Sequence, residues 1–115
     1  EEILDFFSKV TRVNLPIPQP LGFHARPATY VSIIARQYES MNLFMIVDGE
    51  KYNTKSVMSL LQVGGAVADK GYQTIIFEGD KRVIEDIKLL VKHNYCEDTE
   101  IPSRLSYLRN FKKSE

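Results

Sequence analysis

The sequence predicts a single α+β domain with the element order βαββαβα. Its 115 residues, 43% of them apolar, suffice for one hydrophobic core and leave little room for two. Apolar residues recur at strand spacing in some segments and at helix spacing in others. Asp48-Gly49 lies between two strand-like runs and is a strong hairpin signal, so these two strands should pair antiparallel.

The first strand should cover residues 13–17, where apolar residues alternate with polar residues and prolines. Pro16 and Pro18 lack the amide donor that a central strand needs, so this strand is predicted at an edge of the sheet. The other three strands are predicted at residues 43–48, 50–53 and 72–78.

Three core helices are predicted from apolar residues at helical spacing. The first should span residues 25–38, the second should begin after Ser56, and the third should run from Asp80 to about Asn94. The Ser56 side chain can cap the second helix. Gly64-Gly65 should end that helix, and the residues that follow should form a loop.

The two ends of the chain are predicted to form short helical extensions around a core domain of residues 13–94. Residues 1–12 place apolar side chains at helical spacing, and residues 95–115 contain Leu105 and Leu108 at roughly that spacing. Each extension could cover an apolar patch on the core, pair with the other extension, or join a second copy of the chain. A homodimer through the extensions is therefore an alternative to a monomer.

Composition and charge argue against several classes of protein. The 15 Lys and Arg residues balance the 15 Asp and Glu residues and are interspersed with them, which argues against nucleic-acid binding. No apolar run approaches the roughly 20 residues that a bilayer crossing needs, and no leader opens the chain, so we expect a cytoplasmic protein without membrane insertion. Cys96 is the only cysteine, which excludes an internal disulfide, and we expect no metal and no cofactor.

The candidate chemistry lies in the segment Gly22-Phe23-His24-Ala25-Arg26-Pro27-Ala28. His24 should occupy the N-cap of the first helix, where Pro27 is tolerated because first-turn amides have no partner within the helix. The amides from Ala25 onward and the Arg26 guanidinium would then form a phosphate-binding site beside an imidazole. A nucleophile next to such a site suggests phosphoryl transfer. Spacing alone is equally compatible with an ordinary cap residue and a surface arginine.

At these residues the chain resembles the histidine-containing phosphocarrier family, HPr, of the bacterial sugar phosphotransferase system. A second stretch, Asn53-Thr54-Lys55-Ser56-Val57-Met58, is similar to another signature of the family, and Gly64 and Lys70-Gly71 follow in the expected order. The resemblance covers roughly residues 13–94. It implies an open-faced β-sandwich in which a four-stranded antiparallel sheet carries three helices on one face.

The resemblance also implies a function. His24 would accept a phosphoryl group on Nδ1 from phosphorylated enzyme I and donate it to enzyme IIA components, while Arg26 stabilises the group in transit. The protein would be a phosphoryl carrier rather than a turnover enzyme. An apolar docking patch for these partners is implied at Thr29, Ile33, Val57, Met58 and Leu61. Helical spacing does not settle which of these side chains belong to the core.

Ser56 matches a position that a dedicated HPr serine kinase phosphorylates in some members of the family. The implied alternative function is a regulatory binding module, which contacts a transcriptional regulator or a metabolic enzyme under the control of Ser56 phosphorylation. A serine at the start of a helix is equally explained as an N-cap. The sequence leaves both interpretations open.

Overall fold

Seven helices and strands follow one another in the computed structural model, which describes residues 10–18, 22–38, 42–96 and 100–108. The strands are β1 (Val10–Pro16), β2 (Leu43–Val47), β3 (Glu50–Asn53) and β4 (Thr74–Asp80). The helices are α1 (Ala25–Gln37), α2 (Val57–Lys70) and α3 (Lys81–Lys92), so the predicted order βαββαβα is confirmed. None of the helices in these parts of the chain has the length and apolarity that a bilayer crossing requires.

The four strands form one antiparallel sheet in the order β1-β4-β2-β3. β1 lies at an edge, as its prolines predicted, and places Val13 opposite Phe77 of β4. On the other side of β4, Met45 of β2 lies opposite the same phenylalanine. Phe77 and Met45 are fully buried within the core that the sheet and the helices share. The fold is therefore the predicted open-faced sandwich.

The opposite face of the sheet carries charged side chains that pair across strands. Arg12 Nη2 lies 2.6 Å from Glu78 Oε2, and Lys51 Nζ lies 2.9 Å from Glu78 Oε1. The hydrogen bonds from Lys51 and then from Arg12 hold the pKa of Glu78 below its usual range. An antiparallel sheet with such a face can remain in contact with water on that side. The helices pack on the other face of the sheet.

α2 is longer than predicted, because Gly64 and Gly65 lie inside the helix and do not end it. The helix continues to Lys70, where Gly71 adopts a left-handed conformation with φ of 69° and closes the last turn. Gly64 allows a close approach: a Cβ atom there would overlap the carbonyl oxygen of Phe23. The predicted loop after Gly64 is therefore wrong. The glycine lets α2 pack directly on the backbone that precedes α1.

Other element boundaries differ from the prediction by a few residues. β4 runs as far as Asp80, whose side chain does not cap α3. α3 ends before His93, which is its C-cap. β1 begins at Val10, because this residue pairs with β4. The described part of the predicted N-terminal helix, residues 10–12, is therefore strand, and residues 1–9 lie outside the described residues.

The chain after residue 94, which we call the C-terminal segment, contributes to the core. Its described residues bury five side chains, those of Tyr95, Cys96, Ile101, Leu105 and Leu108. After α3, 3₁₀ turns lie at Asn94–Cys96 and Ser103–Leu105. A domain that ended at residue 94 would lose all five side chains from its core.

A buried carboxylate on α3 anchors the C-terminal segment. Asp86 is 1% exposed, and its Oδ2 accepts hydrogen bonds from the hydroxyls of Tyr38 at 2.8 Å and Tyr107 at 2.9 Å. Arg104 Nε donates to Oδ1 at 2.8 Å. Burial raises the pKa of Tyr107, so its hydroxyl stays protonated and able to donate. These four residues, which we name the Asp86 cluster, join the end of α1 and the C-terminal segment to α3.

Candidate functional site

His24 lies at the N-cap of α1 with an extended backbone (φ −99°, ψ −162°). Its carbonyl oxygen accepts the N–H of Ala28 at 3.1 Å, while its imidazole does not cap the helix. Ala25 and Arg26 follow in the first turn, whose N–H groups find no acceptor within a helix. Both residues are exposed. The fold thus places His24, Ala25 and Arg26 together where the helix macrodipole is positive.

One ring nitrogen of His24 is closed to solvent. Nε2 is buried, although the residue as a whole is half-exposed. A group that arrives from solvent therefore cannot reach Nε2. Because a neutral imidazole has one nitrogen with a lone pair and one with a proton, this geometry favours Nδ1 as the nucleophile and Nε2 as the protonated atom.

Arg26 adds a permanent positive charge to this helix end. A guanidinium carries five N–H donors and stays protonated throughout the physiological range. Residues 25–28 contain no acidic side chain that would neutralise it. Backbone donors and a cation at one helix end suit a phosphate group. The described residues contain no group of three or more His, Cys, Asp or Glu side chains that could hold a metal ion.

Phe23 fixes the backbone that leads into His24. Its side chain is 6% exposed, and its ring packs edge-to-face on Tyr95, with ring centroids 5.7 Å apart and ring planes at 81°. Its carbonyl oxygen lies against Gly64 of α2. Gly22 makes the preceding turn with φ of 76°, and its carbonyl accepts the N–H of His24 at 3.0 Å. The position of His24 therefore depends on α2 and on the C-terminal segment as well as on α1.

Ser56 is the N-cap of α2, and its Oγ accepts a first-turn N–H at 3.2 Å. The carbonyl of Lys55 just before it accepts hydrogen bonds from Ser32 Oγ at 3.0 Å and from Arg36 Nη2 at 3.1 Å. Ser32 is about 12 Å along α1 from His24, at 1.5 Å of rise per residue. Ser56 is thus placed beside the second half of α1 and away from the His24 end. Its regulatory phosphorylation stays a prediction.

Comparison with protein families identifies the family of this chain. The family model described as "PTS HPr component phosphorylation site" matches residues 11–92, which is most of the chain. The chain belongs to the HPr family. As a member of this family it is a phosphocarrier of a phosphotransferase system, and it interacts with the enzymes of that system.

Two other HPr proteins are similar to this chain. Phosphocarrier protein HPr of Mycoplasma pneumoniae is 28% identical over 85 residues, which make up 71% of this chain and 94% of that protein. The crystal structure of HPr-C-His from Thermoanaerobacter tengcongensis matches with a TM-score of 0.63 and 21% identity, covering 77% of this chain and 99% of the other. The structural likeness confirms the fold, an open-faced α+β sandwich.

The docking patch predicted for this HPr protein divides into exposed and half-buried members. Met58 is 70% exposed and Leu61 is 37% exposed, both on α2. Ile33 and Val57 are half-buried and pack against the core. Thr29 is half-buried as well, and its hydroxyl donates to the carbonyl oxygen one turn earlier in α1 at 2.8 Å. The apolar surface that a partner can reach is therefore concentrated at Met58 and Leu61.

Two features that support the HPr site were not found from the sequence. Tyr95 follows the predicted end of the core domain, so its contact with Phe23 was missed. Gly64 was interpreted as a helix stop, so its contact with the Phe23 backbone was missed too. One local signal pointed to Tyr95: it follows Asn94, a residue type that tolerates the left-handed conformation and so favours a sharp change of chain direction.

Proposed function

We propose that His24 relays phosphoryl groups in the cytoplasm from phosphorylated enzyme I to enzyme IIA components, through a phosphohistidine on Nδ1. The observation that carries this proposal is the position of His24 at the start of α1 with Nε2 buried, which makes Nδ1 the candidate nucleophile. Family membership supports the same role. The protein then acts as a carrier that is restored after each transfer.

The relay consists of two transfers. His24 first accepts the phosphoryl group and then gives it up. In the first, the lone pair of Nδ1 attacks phosphorus on enzyme I; an N–P bond forms, and the bond to the donor atom of enzyme I breaks with its electrons returning to that atom. The reacting tautomer keeps its proton on the buried Nε2. In the second, an acceptor atom of enzyme IIA attacks phosphorus, and the N–P electrons return to Nδ1.

The helix end supplies the stabilisation that holds the phosphoryl group between the two transfers. The amides of Ala25 and Arg26 and the Arg26 guanidinium are the donors at this end of α1. Charge-assisted hydrogen bonds to a phosphoryl group contribute on the order of 1.5 to 3 kcal/mol each. The same donors stabilise the charge on the phosphoryl oxygens as the group moves, so they assist transfer in both directions.

Replacing His24 with alanine should abolish phosphorylation. Incubation of the full chain with phosphoenolpyruvate and enzyme I should label the protein on an acid-labile, base-stable group, and His24→Ala should carry no label. The matched control is His93→Ala, which changes the histidine that caps the end of α3; it should be labelled like the unaltered protein. Label on His24→Ala, or no label on the unaltered protein, would reject the relay.

Charging the exposed tip of the docking patch should weaken enzyme I binding without slowing the transfer itself. Met58 is 70% exposed, so Met58→Glu should leave the melting temperature nearly unchanged. The KM for enzyme I should rise about tenfold, the equivalent of about 1.4 kcal/mol, with kcat within a factor of about two. The control is Val10→Glu, at an exposed apolar residue on the edge strand. An equal rise in KM for both variants would remove the case for a patch on α2.

A further inference from the structure

Tyr95 contacts the chain on both sides of the connection that leads from β1 to α1. Its hydroxyl donates to the carbonyl oxygen of Pro16, the last residue of β1, at 2.8 Å. Its ring packs edge-to-face with the Phe23 ring; the ring planes make an angle of 81°, and the ring centroids are 5.7 Å apart. Phe23 is directly followed by His24. One side chain from the C-terminal segment therefore braces the start and the end of this connection.

The backbone around Tyr95 adopts a conformation that is unfavourable by itself. Asn94, Tyr95 and Cys96 have φ of 51°, 58° and 56°, three consecutive residues in the left-handed region. L-residues with a Cβ atom are strained there. The turn directs Tyr95 and Cys96 into the core, where they are 1% and 0% exposed. Strained backbone persists only where surrounding contacts determine it, and it is frequent near functional sites.

Burial keeps the Tyr95 hydroxyl protonated, so it can donate to the Pro16 carbonyl. The side chain is almost completely enclosed, and this burial raises the pKa of Tyr95. The hydroxyl is therefore protonated across the range in which the protein works. An aliphatic side chain such as leucine would make neither the hydrogen bond to the Pro16 carbonyl nor the edge-to-face contact with the Phe23 ring.

We infer that Tyr95 is a positioning residue for phosphoryl transfer, acting on His24 through Phe23. This inference rests on the proposed function of His24. Burial of Nε2 requires one orientation of the imidazole, and that orientation depends on where Phe23 holds the backbone. Misplacing a reacting group by about 1 Å can reduce a rate by about a hundredfold. The C-terminal segment is then a working part of the phosphoacceptor site.

The test compares Tyr95→Leu with Leu105→Ala in the full chain. Leu105 is also fully buried in the C-terminal segment, so its truncation lowers stability. At a temperature well below both melting points, Tyr95→Leu should lower kcat for phosphorylation by about tenfold with KM for enzyme I within a factor of about two. Leu105→Ala should keep kcat within a factor of about two. Equal kcat values for the two variants would overturn the inference.

The conservative variant and the partner ring supply independent measurements. Tyr95→Phe keeps the ring contact and should recover most of the rate, to within about threefold of the unaltered protein. Phe23→Leu should lower kcat about as much as Tyr95→Leu, and the double variant should be little slower than either single one, because both remove the same contact. Additive losses would contradict a path through Phe23. If Tyr95→Leu does not fold, Phe23→Leu carries the test, because it removes the same ring contact: a kcat equal to that of Leu105→Ala would overturn the inference.

A spectroscopic measurement separates this inference from the proposed function. Ring ¹⁵N shifts of His24 in the unphosphorylated protein report the tautomer and its titration. Tyr95→Leu should change these shifts, whereas Leu105→Ala should leave them unchanged. If enzyme I does not label the unaltered protein, the relay is rejected while the shift comparison still decides whether Tyr95 orients His24. Unchanged shifts in Tyr95→Leu would overturn the inference even with labelling intact.

Discussion

Gly64→Ala should destabilise the protein and slow phosphoryl transfer, although alanine is the better helix former. The new Cβ atom would overlap the carbonyl oxygen of Phe23, a backbone atom that cannot rotate away. α2 or the backbone before His24 must then move. Overpacking of this kind costs about 1 to 3 kcal/mol. Because Phe23 precedes His24, we also expect transfer to His24 to fall about tenfold.

The adjacent glycine provides a matched control for Gly64. Gly65 lies in the same helix, is exposed, and has open space where a Cβ atom would be placed. Gly65→Ala should therefore stabilise the protein by about 0.5 to 1 kcal/mol, because alanine loses less backbone entropy in a helix. Urea unfolding and labelling by enzyme I measure both effects. Similar stability of the two variants would show that α2 does not depend on close contact with Phe23.

Asp86→Leu should be among the most destabilising single substitutions in the chain. Leucine branches at Cγ as aspartate does but is larger, and it leaves the hydroxyls of Tyr38 and Tyr107 and the guanidinium of Arg104 without their carboxylate acceptor. Asp86 is 1% exposed, so little water replaces the lost acceptor at that position. A hydroxyl left without its acceptor costs about 1 to 3 kcal/mol, and the Arg104 side chain, which is 57% exposed, adds little because water can reach it. The C-terminal segment should become sensitive to proteases at the same time.

The residue before Asp86 gives the comparison for this prediction. The Glu85 side chain is 46% exposed and lies 3.8 Å from Lys88 on the surface of α3. Glu85→Leu should change the free energy of unfolding by no more than about 0.5 kcal/mol. Chemical unfolding compares the two variants, and limited proteolysis followed by mass measurement locates any loosened segment. A loss below about 1 kcal/mol for Asp86→Leu would show that the cluster does not anchor the C-terminal segment.

The position of β1 and the start of α1 could be predicted because their signals are local. A proline removes a backbone donor whatever surrounds it, so Pro16 predicted an edge strand, and β1 is one. The N-cap position of His24 follows from a proline in the first turn and from the apolar spacing after it. Three neighbouring residues of the candidate site, His24, Ala25 and Arg26, were therefore predicted together before any contact was known.

Gly64 shows where local propensity fails. A glycine inside a helix costs about 1 kcal/mol relative to alanine, which is a small preference. The contact of α2 with the Phe23 backbone requires a residue without a side chain, and that requirement outweighs the preference. In the same way, Val10 belonged to an apolar pattern with helical spacing, yet it is strand because β4 pairs with it.

The docking patch stays a prediction from the family resemblance, and the structure decides only how exposed each of its residues is. The resemblance to the HPr family grouped Val57, Met58 and Leu61 on α2, but a helix with apolar residues on more than one side has no unique buried face. Packing against the core selected Val57 as half-buried and left Met58 70% exposed. That choice depends on how α2 is rotated in the fold, which no spacing within the helix specifies.

The amino-acid sequence alone determined the order of the strands and helices. It also determined that a histidine lies at the start of α1. Both features depend on residues that are close together in the chain. Only the tertiary structure decided that the C-terminal segment belongs to the core and that Tyr95 supports Phe23. These contacts join residues far apart in the chain. Their free energy exists only once the sheet and helices have closed, so no local pattern records it.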